Sequence, residues 1–406
     1  MNSKEELVER LTRFYREAGG EVSSMPPAWV PGNRRAAHWL QPALASIVLI
    51  ALAVGLAVTI RMVRDEAHRK ITPVPIPTAS PSPSPSPSAP PLSSWITRRV
   101  PIGSVVAMSL DSSAVFALYD PGPMNGRPDP AKTMLARIDR ATAAVTTAGP
   151  FPQATLLARV GPGLWIGAGA VQGTAGDTQS LTLVDPVTLT VKQRVRLPGK
   201  PVPGTFSLPE LAGTSDLLWL GYGNSVYRLD PATGRVLLTL GLPGTATSIS
   251  IDPSGHRLYA GLASSQPGAA LVIELDASTG DRIASAPTGG GDLGGPHVAA
   301  APDSVWISYA TGMLGAVEHR SATGLALLSS PDHQHTNGIR VSVFGRTLWL
   351  VDGMAQQVAC GDPLSGVIAA SSQESSPTAV VADASGSYLG DADGVGFLRP
   401  DPSCPH

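Results

Sequence analysis

A repeat of about 44 residues constrains this chain more than any other feature, because such a period with four short strands per unit is typical of β-propellers. Two markers recur at this interval: an aromatic residue in a short apolar strand, and a strand that ends in Asp-x-x-Thr-Gly or a relative of it. The aromatic positions are Phe116, Trp165, Trp219, Tyr259, Trp306, Trp349 and Tyr388. The strand-end positions are Asp139, Asp185, Asp230, Asp276, Arg320, Asp362 and Arg399. Both markers occur seven times, so the sequence predicts an all-β, seven-bladed β-propeller.

The strands of individual blades can be predicted from runs of apolar residues bounded by turn residues. The apolar run around Trp219 is followed by a turn at Gly223-Asn224 and a second strand at Ser225–Leu229. In the next blade, we expect four strands in order from the inside outward: 247–251, 257–262, 270–275 and 282–286. Blades bury their faces against their neighbours. The aromatic residues are therefore expected to pack between blades and not to form a cofactor site.

The two ends of the array predict how the ring closes. The segment Trp95–Ser109 aligns with Val236–Ser250, an outer strand followed by an inner one, whereas only Pro400–His406 follow the last marker. We therefore expect Trp95–Pro101 to be the outer strand of the seventh blade. Such closure would remove an open sheet edge.

Composition agrees with a turn-rich β protein and gives no support for nucleic acid as a partner. The 406 residues include 43 Gly and 39 Pro, and only 15% are charged. The formal net charge of -2 gives no reason to expect nucleic acid as a partner. The chain is predicted to divide into a cytoplasmic segment (1–38), a transmembrane helix (39–60), a Pro/Ser-rich stalk (61–94) and the propeller (95–406).

The first segment is expected to contain one short helix over Ser3–Glu17. Ser3 and Glu6 form a capping box, and Leu7, Leu11 and Phe14 begin an apolar stripe. Two interpretations stay open for this helix. It is a surface helix beside a membrane, or it docks a cytoplasmic partner.

The run Pro42–Ile60 contains no charged residue and predicts a single membrane-spanning helix. With Trp39 and Leu40 it reaches about 22 residues, enough to cross a hydrocarbon core of ~30 Å. Arg61 follows directly, without a small-residue cleavage site, so an uncleaved anchor is expected.

Two features of the sequence disagree about the orientation of this helix. Close to the helix, two basic residues lie on the N-terminal flank (Arg34 and Arg35) and four on the C-terminal flank (Arg61, Arg64, Arg69 and Lys70), which favours a cytoplasmic C-terminal side. The Pro-Ser segment Pro73–Pro91 is a semi-rigid spacer of roughly 60 Å, as expected of a stalk that holds a domain away from a membrane. The even cysteine number also suits an oxidising compartment. We therefore expect a single-pass cell-membrane protein with an extracytoplasmic propeller.

The two cysteines are predicted to form a disulfide. Cys360 ends the third strand of blade six, and Cys404 lies five residues beyond Arg399, the equivalent point of blade seven. The two positions are at the same height on neighbouring blades. Two free thiols are the alternative, which a cytoplasmic location would favour.

The densest group of potential metal ligands is Asp332-His333-Gln334-His335, in the connection from blade five to blade six. His297 occupies the preceding connection, and both connections are expected to open on one face of the ring. His297, His333 and His335 therefore form a candidate metal or ligand site, with solvated loop residues as the alternative. No cofactor can be assigned from the sequence.

Several repeats resemble those of known seven-bladed propellers. ISIDPSGHRLYAG (Ile249–Gly261), followed by LVIELDASTGDRI (Leu271–Ile283), is similar to YVTN-type surface-layer propellers. GPHVAAAPDSVWIS (Gly295–Ser308) resembles the repeat of streptogramin-lyase-like proteins. The resemblance implies the fold. It does not carry over the lyases' paired histidines and carboxylate, because Glu318 and His319 are adjacent and would face opposite sides of a strand.

Two function hypotheses follow from these observations. The first is a membrane-anchored, extracytoplasmic propeller that acts as a non-enzymatic binding or scaffold module for a protein, glycan or small-molecule ligand. The second is an extracytoplasmic metal-dependent enzyme, a lyase or hydrolase.

Overall fold

The structure is a computed structural model that describes residues 95–122, 129–168, 180–198, 209–263, 270–289, 295–311, 314–330, 335–336, 339–373, 376–399 and 404. The predictions for the cytoplasmic segment, the transmembrane helix and the stalk lie outside these residues. Among the described residues, no helix is long and apolar enough to cross a membrane.

The strands of the described residues form seven antiparallel sheets, and each sheet is one blade. Blade one consists of β2 (Ser104–Leu110), β3 (Ala114–Asp120), β4 (Met134–Asp139) and β5 (Val145–Ala148). Blade two consists of β6 (Ala154–Val160), β7 (Gly163–Ala168), β8 (Ser180–Val184) and β9 (Val191–Arg196). Blade three consists of β10 (Glu210–Gly213), β11 (Leu218–Tyr222), β12 (Ser225–Leu229) and β13 (Val236–Gly241). A short 3-10 helix at Pro130–Lys132 precedes β4.

Blades four to seven follow the same order. Blade four consists of β14 (Thr245–Ile251), β15 (Arg257–Ala263), β16 (Leu271–Asp276) and β17 (Arg282–Pro287), and blade five of β18 (His297–Ala300), β19 (Ser304–Thr311), β20 (Leu314–Ser321) and β21 (Leu327–Ser329), with the two-residue β22 (His335–Thr336) also paired with β20. Blade six consists of β23 (Ile339–Phe344), β24 (Thr347–Asp352), β25 (Gln357–Gly361) and β26 (Ile368–Gln373). Blade seven consists of β27 (Ala379–Asp383), β28 (Gly386–Asp391), β29 (Gly394–Leu398) and β1 (Ile96–Val100). The first strands of neighbouring blades contact one another around the ring, so these seven strands are the inner ones. The predicted seven-bladed β-propeller is confirmed.

The ring closes as the sequence predicts. β1 pairs with β29, which makes the N-terminal strand of the described propeller the outer strand of blade seven. The guanidinium of Arg99 donates to the buried carboxylate of Asp391 at 2.6 Å, and the backbone N–H of Arg399 donates to the carbonyl of Trp95 at 2.6 Å. β1 therefore covers an edge that would otherwise be open to other strands.

The second strands carry the aromatic residues, and they are buried because neighbouring blades cover both of their faces. Trp165, Trp219 and Trp306 are fully buried. Each indole N–H donates to a turn carbonyl of the next blade, at Pro231 (3.1 Å), Ala277 (3.2 Å) and Pro363 (3.0 Å), respectively. The expectation that these residues pack between blades is confirmed.

The Asp-x-x-Thr-Gly turns supply those carbonyls. Asp230 accepts hydrogen bonds from the backbone N–H groups of Ala232 (2.9 Å) and Thr233 (3.0 Å), which favour the ionised carboxylate and lower its pKa. Gly234 has a φ of 64°. A Cβ at Gly234 would lie 2.7 Å from the Trp165 ring. The glycine is thus required both by the turn and by the aromatic residue of the preceding blade.

The strand-end marker assigned to blade five is wrong by one residue. The N–H of Ser321 donates to the carbonyl of Ala326, as that of Asp230 does to Arg235, so Ser321 is the turn residue and not Arg320. Ser321 Oγ accepts from the N–H of Thr323, which replaces the aspartate. Arg320 instead points into the blade, as described below.

Candidate functional site at the central channel

The inner strands surround a channel with a volume of about 450 Å³. All seven blades contribute to its wall. Most lining side chains are apolar, with valine and leucine on most blades. The channel is the natural place to search for a binding site, since ligand pockets are concave and mostly apolar, with a few polar groups that orient the ligand.

Strand register places seven equivalent residues at one level of this channel. Glu210 is paired with Gly221, which lies two residues beyond Trp219. His297 and Arg340 have the same relation to the tryptophans of their own blades, as their pairing with Ser308 and Val351 shows. The seven residues, named here the channel ring, are Ala107, Leu156, Glu210, Ser248, His297, Arg340 and Ala379.

The channel ring is polar on one side and apolar on the other. Blades three to six contribute Glu210, Ser248, His297 and Arg340 in unbroken order, and these residues are named the polar arc. Blades seven, one and two contribute two alanines and a leucine. At the level of the channel ring, a molecule therefore meets hydrogen-bonding groups on one flank and apolar side chains on the other, although Thr155 and Thr378 also line the channel beside the apolar flank.

The blade structure holds the polar arc in place. Ser248 Oγ accepts a hydrogen bond from the N–H of Val298 at 3.2 Å, which ties the inner strand of blade four to that of blade five. Ser250 Oγ accepts from Ala300 in the same way at 3.0 Å. Because the arc stands on paired strands and not on loops, its side chains project from a rigid frame.

Burial strongly perturbs the protonation of two groups in the arc. Loss of water around Glu210 raises the pKa of its carboxyl from 4.5 to about 7, although the Arg340 charge lowers it. Loss of water around His297 lowers the pKa of its imidazole from 6.5 to about 3, and the Arg340 charge lowers it further. Both side chains keep some contact with water in the channel, although protein surrounds them. At neutral pH, His297 is therefore uncharged, and about half of the Glu210 carboxyls carry a proton.

The three titratable side chains of the arc do not contact one another. Within the part of the chain that the structure describes, no hydrogen bond or ion pair joins Glu210, His297 and Arg340 to each other or to another side chain. Arg340 is exposed, and Glu210 and His297 are half-buried. Their donors and acceptors are therefore available to water or to a ligand in the channel.

The candidate three-histidine site is only partly covered by the described residues. His297 lies in the polar arc, and His333 lies outside the described residues. His335 is described by its backbone in β22, opposite Gly315 on β20. β22 is three strand positions outward from β18, about 14 Å at ~4.8 Å per strand. This spacing does not favour an ion shared by His297 and His335, and a search of the described residues finds no group of three or more His, Cys, Asp or Glu that would hold a metal. The three-residue site stays a prediction.

Glu318 and His319 lie on opposite faces of β20, as the sequence predicts. Glu318 accepts from the hydroxyl of Tyr309 at 2.8 Å and from Arg320 Nε at 2.7 Å, within blade five. His319 stacks on the Trp306 ring, with a centroid separation of 4.3 Å, and burial lowers its pKa. The two side chains therefore do not form one site.

Cys360 and Cys404 are joined by a disulfide, with Cα atoms 5.7 Å apart. This is the pair expected from the sequence. Both cysteines are buried with Trp95 and Trp349, at the junction of blades six and seven. The bond therefore attaches the C-terminal tail beside the closing strand β1.

Glu210 and Arg340 were not found from the sequence, because neither belongs to a motif. A signal was nevertheless present. Glu210, His297 and Arg340 each stand nine positions before the tryptophan of their blade (210 and 219, 297 and 306, 340 and 349). An alignment of the inner strands on these tryptophans would have placed all three at one level.

The seven sheets of the structure define the class of protein, a seven-bladed β-propeller, and comparison with known proteins shows nothing narrower. No protein-family model matches the chain. No curated protein sequence matches it either. Similar solved structures include hydrazine synthase from Kuenenia stuttgartiensis (11% identity, 75% of this chain, 97% of that chain, TM-score 0.54). They also include the computationally designed protein Ika8 (13%, 75%, 98%, 0.50) and BamB from Moraxella catarrhalis (15%, 76%, 86%, 0.47). At these identities the likeness concerns the fold alone.

Proposed function

We propose that this chain is a single-pass membrane protein with an extracytoplasmic propeller, and that the propeller is a non-enzymatic module that binds a ligand at the channel ring. The polar arc is the observation that carries the proposal. Four polar residues from consecutive blades lie at one level of the channel, and no hydrogen bond or ion pair joins Glu210, His297 or Arg340 to another side chain of the described residues. Such a combination is typical of a ligand site.

The spacing of the arc favours binding over catalysis. A nucleophile and its base, or an acid and its orienting partner, must lie within hydrogen-bond reach of each other. Glu210, His297 and Arg340 come from three different blades and make no such contact. They are arranged to hold a molecule between them and not to activate one another.

Three features support the membrane-anchored, extracytoplasmic location. The run Pro42–Ile60 is uncharged and long enough to span a bilayer. The Pro/Ser-rich segment that follows would separate the propeller from the membrane. The Cys360–Cys404 disulfide suits an oxidising compartment.

The location is tested by protease treatment of intact cells that carry the full chain. Digestion of the propeller with protection of residues 1–38 is expected, and lysed cells serve as the control. Protection of the propeller in intact cells would place it in the cytoplasm and contradict the proposal.

To test the binding role, the full chain in detergent is incubated with a mixture of small metabolites. Mass spectrometry then identifies both the retained and the free molecules. We expect retention of one chemical class without its conversion, and weaker retention by Arg340→Gln than by Arg346→Gln, which changes an exposed arginine in the turn between β23 and β24. Consumption of a molecule with release of a product would instead favour the enzyme hypothesis.

A further inference from the structure

The channel ring also indicates the chemical class of its ligand, an inference that rests on the proposed binding function. We propose that the ring binds a small organic monoanion, a carboxylate with an apolar body. The carboxylate would pair with Arg340, and the body would lie against the apolar flank of blades seven, one and two.

The charge of the site favours an anion. Of the described residues that line the channel, Glu210, His297 and Arg340 are the only titratable ones. The guanidinium is always charged, whereas burial holds the pKa of His297 at about 3 and leaves the imidazole neutral at physiological pH. With Glu210 protonated, the site carries one positive charge and no negative charge.

The number of charges favours a monoanion over a dianion. Arg340 is the single permanent cation among the described channel-lining residues, so a phosphate dianion would keep one negative charge without a partner. A guanidinium matches the planar carboxylate with two parallel N–H donors. The neutral His297 and the protonated Glu210 each add an N–H or O–H donor on the same flank.

Shape and polarity define the rest of the ligand. Arg340 lies next to Ala379 around the ring, and Ala107 and Leu156 continue this apolar flank. An anion held at blade six therefore places its remaining atoms beside these apolar side chains, with Thr378 and Thr155 next to them along the channel wall. The channel volume of about 450 Å³ lies within the range of small-molecule pockets.

The site predicts a pH dependence of binding. Burial raises the pKa of Glu210 to about 7, so most carboxyls are protonated at pH 6 and roughly one in ten at pH 8. The ionised form would repel a bound carboxylate. Because the apparent dissociation constant scales inversely with the competent fraction, affinity should fall about tenfold from pH 6 to pH 8.

The test is calorimetric titration of the full chain in detergent with benzoate, which has one carboxylate and an apolar ring. Benzyl alcohol has the same ring without the charge, and inorganic phosphate provides the dianion. We expect saturable binding of benzoate and much weaker binding of the other two. Benzoate affinity should fall about fivefold in Arg340→Gln, as expected for loss of a solvent-exposed ion pair. It should be unchanged in the matched control Arg346→Gln.

Glu210→Gln separates the protonation effect from folding, because it imitates the neutral carboxyl. This variant should bind benzoate at pH 8 as tightly as the parent does at pH 6, with no pH dependence. A folded Arg340→Gln variant that binds benzoate like the parent would overturn the proposal, as would absence of saturable benzoate binding at millimolar concentration. Equal binding of benzyl alcohol would show that the channel binds a ligand but does not select an anion. Preferential binding of phosphate would show that the site selects a dianion and not a carboxylate.

Discussion

Replacement of Glu210 by glutamine should change how the stability of the propeller depends on pH. Burial raises the pKa of Glu210 from 4.5 to about 7, so the folded state retains a proton that the unfolded state has lost. The contribution of Glu210 to stability is therefore complete below pH 4.5 and is lost as the pH rises through 7. The loss is about 3 kcal/mol, an upper bound because channel water reaches the carboxyl.

His297 contributes in the opposite direction. Its pKa falls from 6.5 to about 3 on folding, so its contribution is complete above pH 6.5 and is lost as the pH falls towards 3. Between pH 4.5 and 6.5 each group changes the free energy of unfolding by about 1.4 kcal/mol per pH unit, with opposite signs. In the parent chain the two slopes cancel across this window. In Glu210→Gln only the His297 slope remains, so the free energy of unfolding should rise with pH.

Urea unfolding of the full chain, followed by circular dichroism between pH 4.5 and 8, measures this effect. Glu210→Gln should match the parent at pH 4.5 and exceed its stability by up to about 3 kcal/mol at pH 8. Asp216→Asn, at an exposed carboxylate of the same blade, controls for the loss of one negative charge. Parallel pH profiles for the parent and Glu210→Gln would refute the argument that protein surrounds this carboxyl.

Three further predictions concern the rest of the propeller. Trp219→Phe removes the donor to the Ala277 carbonyl, whereas the indole N–H of Trp349 has no partner among the described residues. In urea unfolding, Trp219→Phe should therefore be more destabilising than Trp349→Phe by about 1–2 kcal/mol. Equal losses would show that the indole hydrogen bond adds nothing. Thiol titration of the unfolded, unreduced chain should find no free thiol, and two per chain would contradict the Cys360–Cys404 bond. If the predicted three-histidine site binds metal, elemental analysis of the chain purified without chelator should show a stoichiometric ion that is lost in His297→Ala; no such ion would end that hypothesis.

The fold was predictable because its signals are local and repeated. The run around Trp219 indicated a buried strand, and the Gly223-Asn224 turn separates β11 from β12 as expected. The outer strand at residues 95–101 was found because it aligns with the other outer strands. The error at Arg320 arose where a serine replaces the turn aspartate, while the arginine is held by Glu318 and by the carbonyls of Leu325 and Pro287.

The candidate site was less predictable, because its residues belong to different blades. His297 was selected for its side chain, but it was grouped with His333 and His335 in the next connection and not with Glu210 and Arg340. A single glutamate in β10 and a single arginine in β23 carry no local pattern. Their common level in the channel depends on the register in which each inner strand pairs with the tryptophan-bearing second strand of its blade.

The sequence by itself determined the number of blades, the position of most strands and the closing strand, because apolar alternation and turn chemistry act over a few residues and recur in each unit. Only the tertiary structure decided that Glu210, His297 and Arg340 meet at one level of the channel. The rotation from blade to blade brings residues of distant repeats to the same axis. The perturbed pKa values of Glu210 and His297 follow from that arrangement, since they depend on surrounding protein and on Arg340 and not on sequence neighbours.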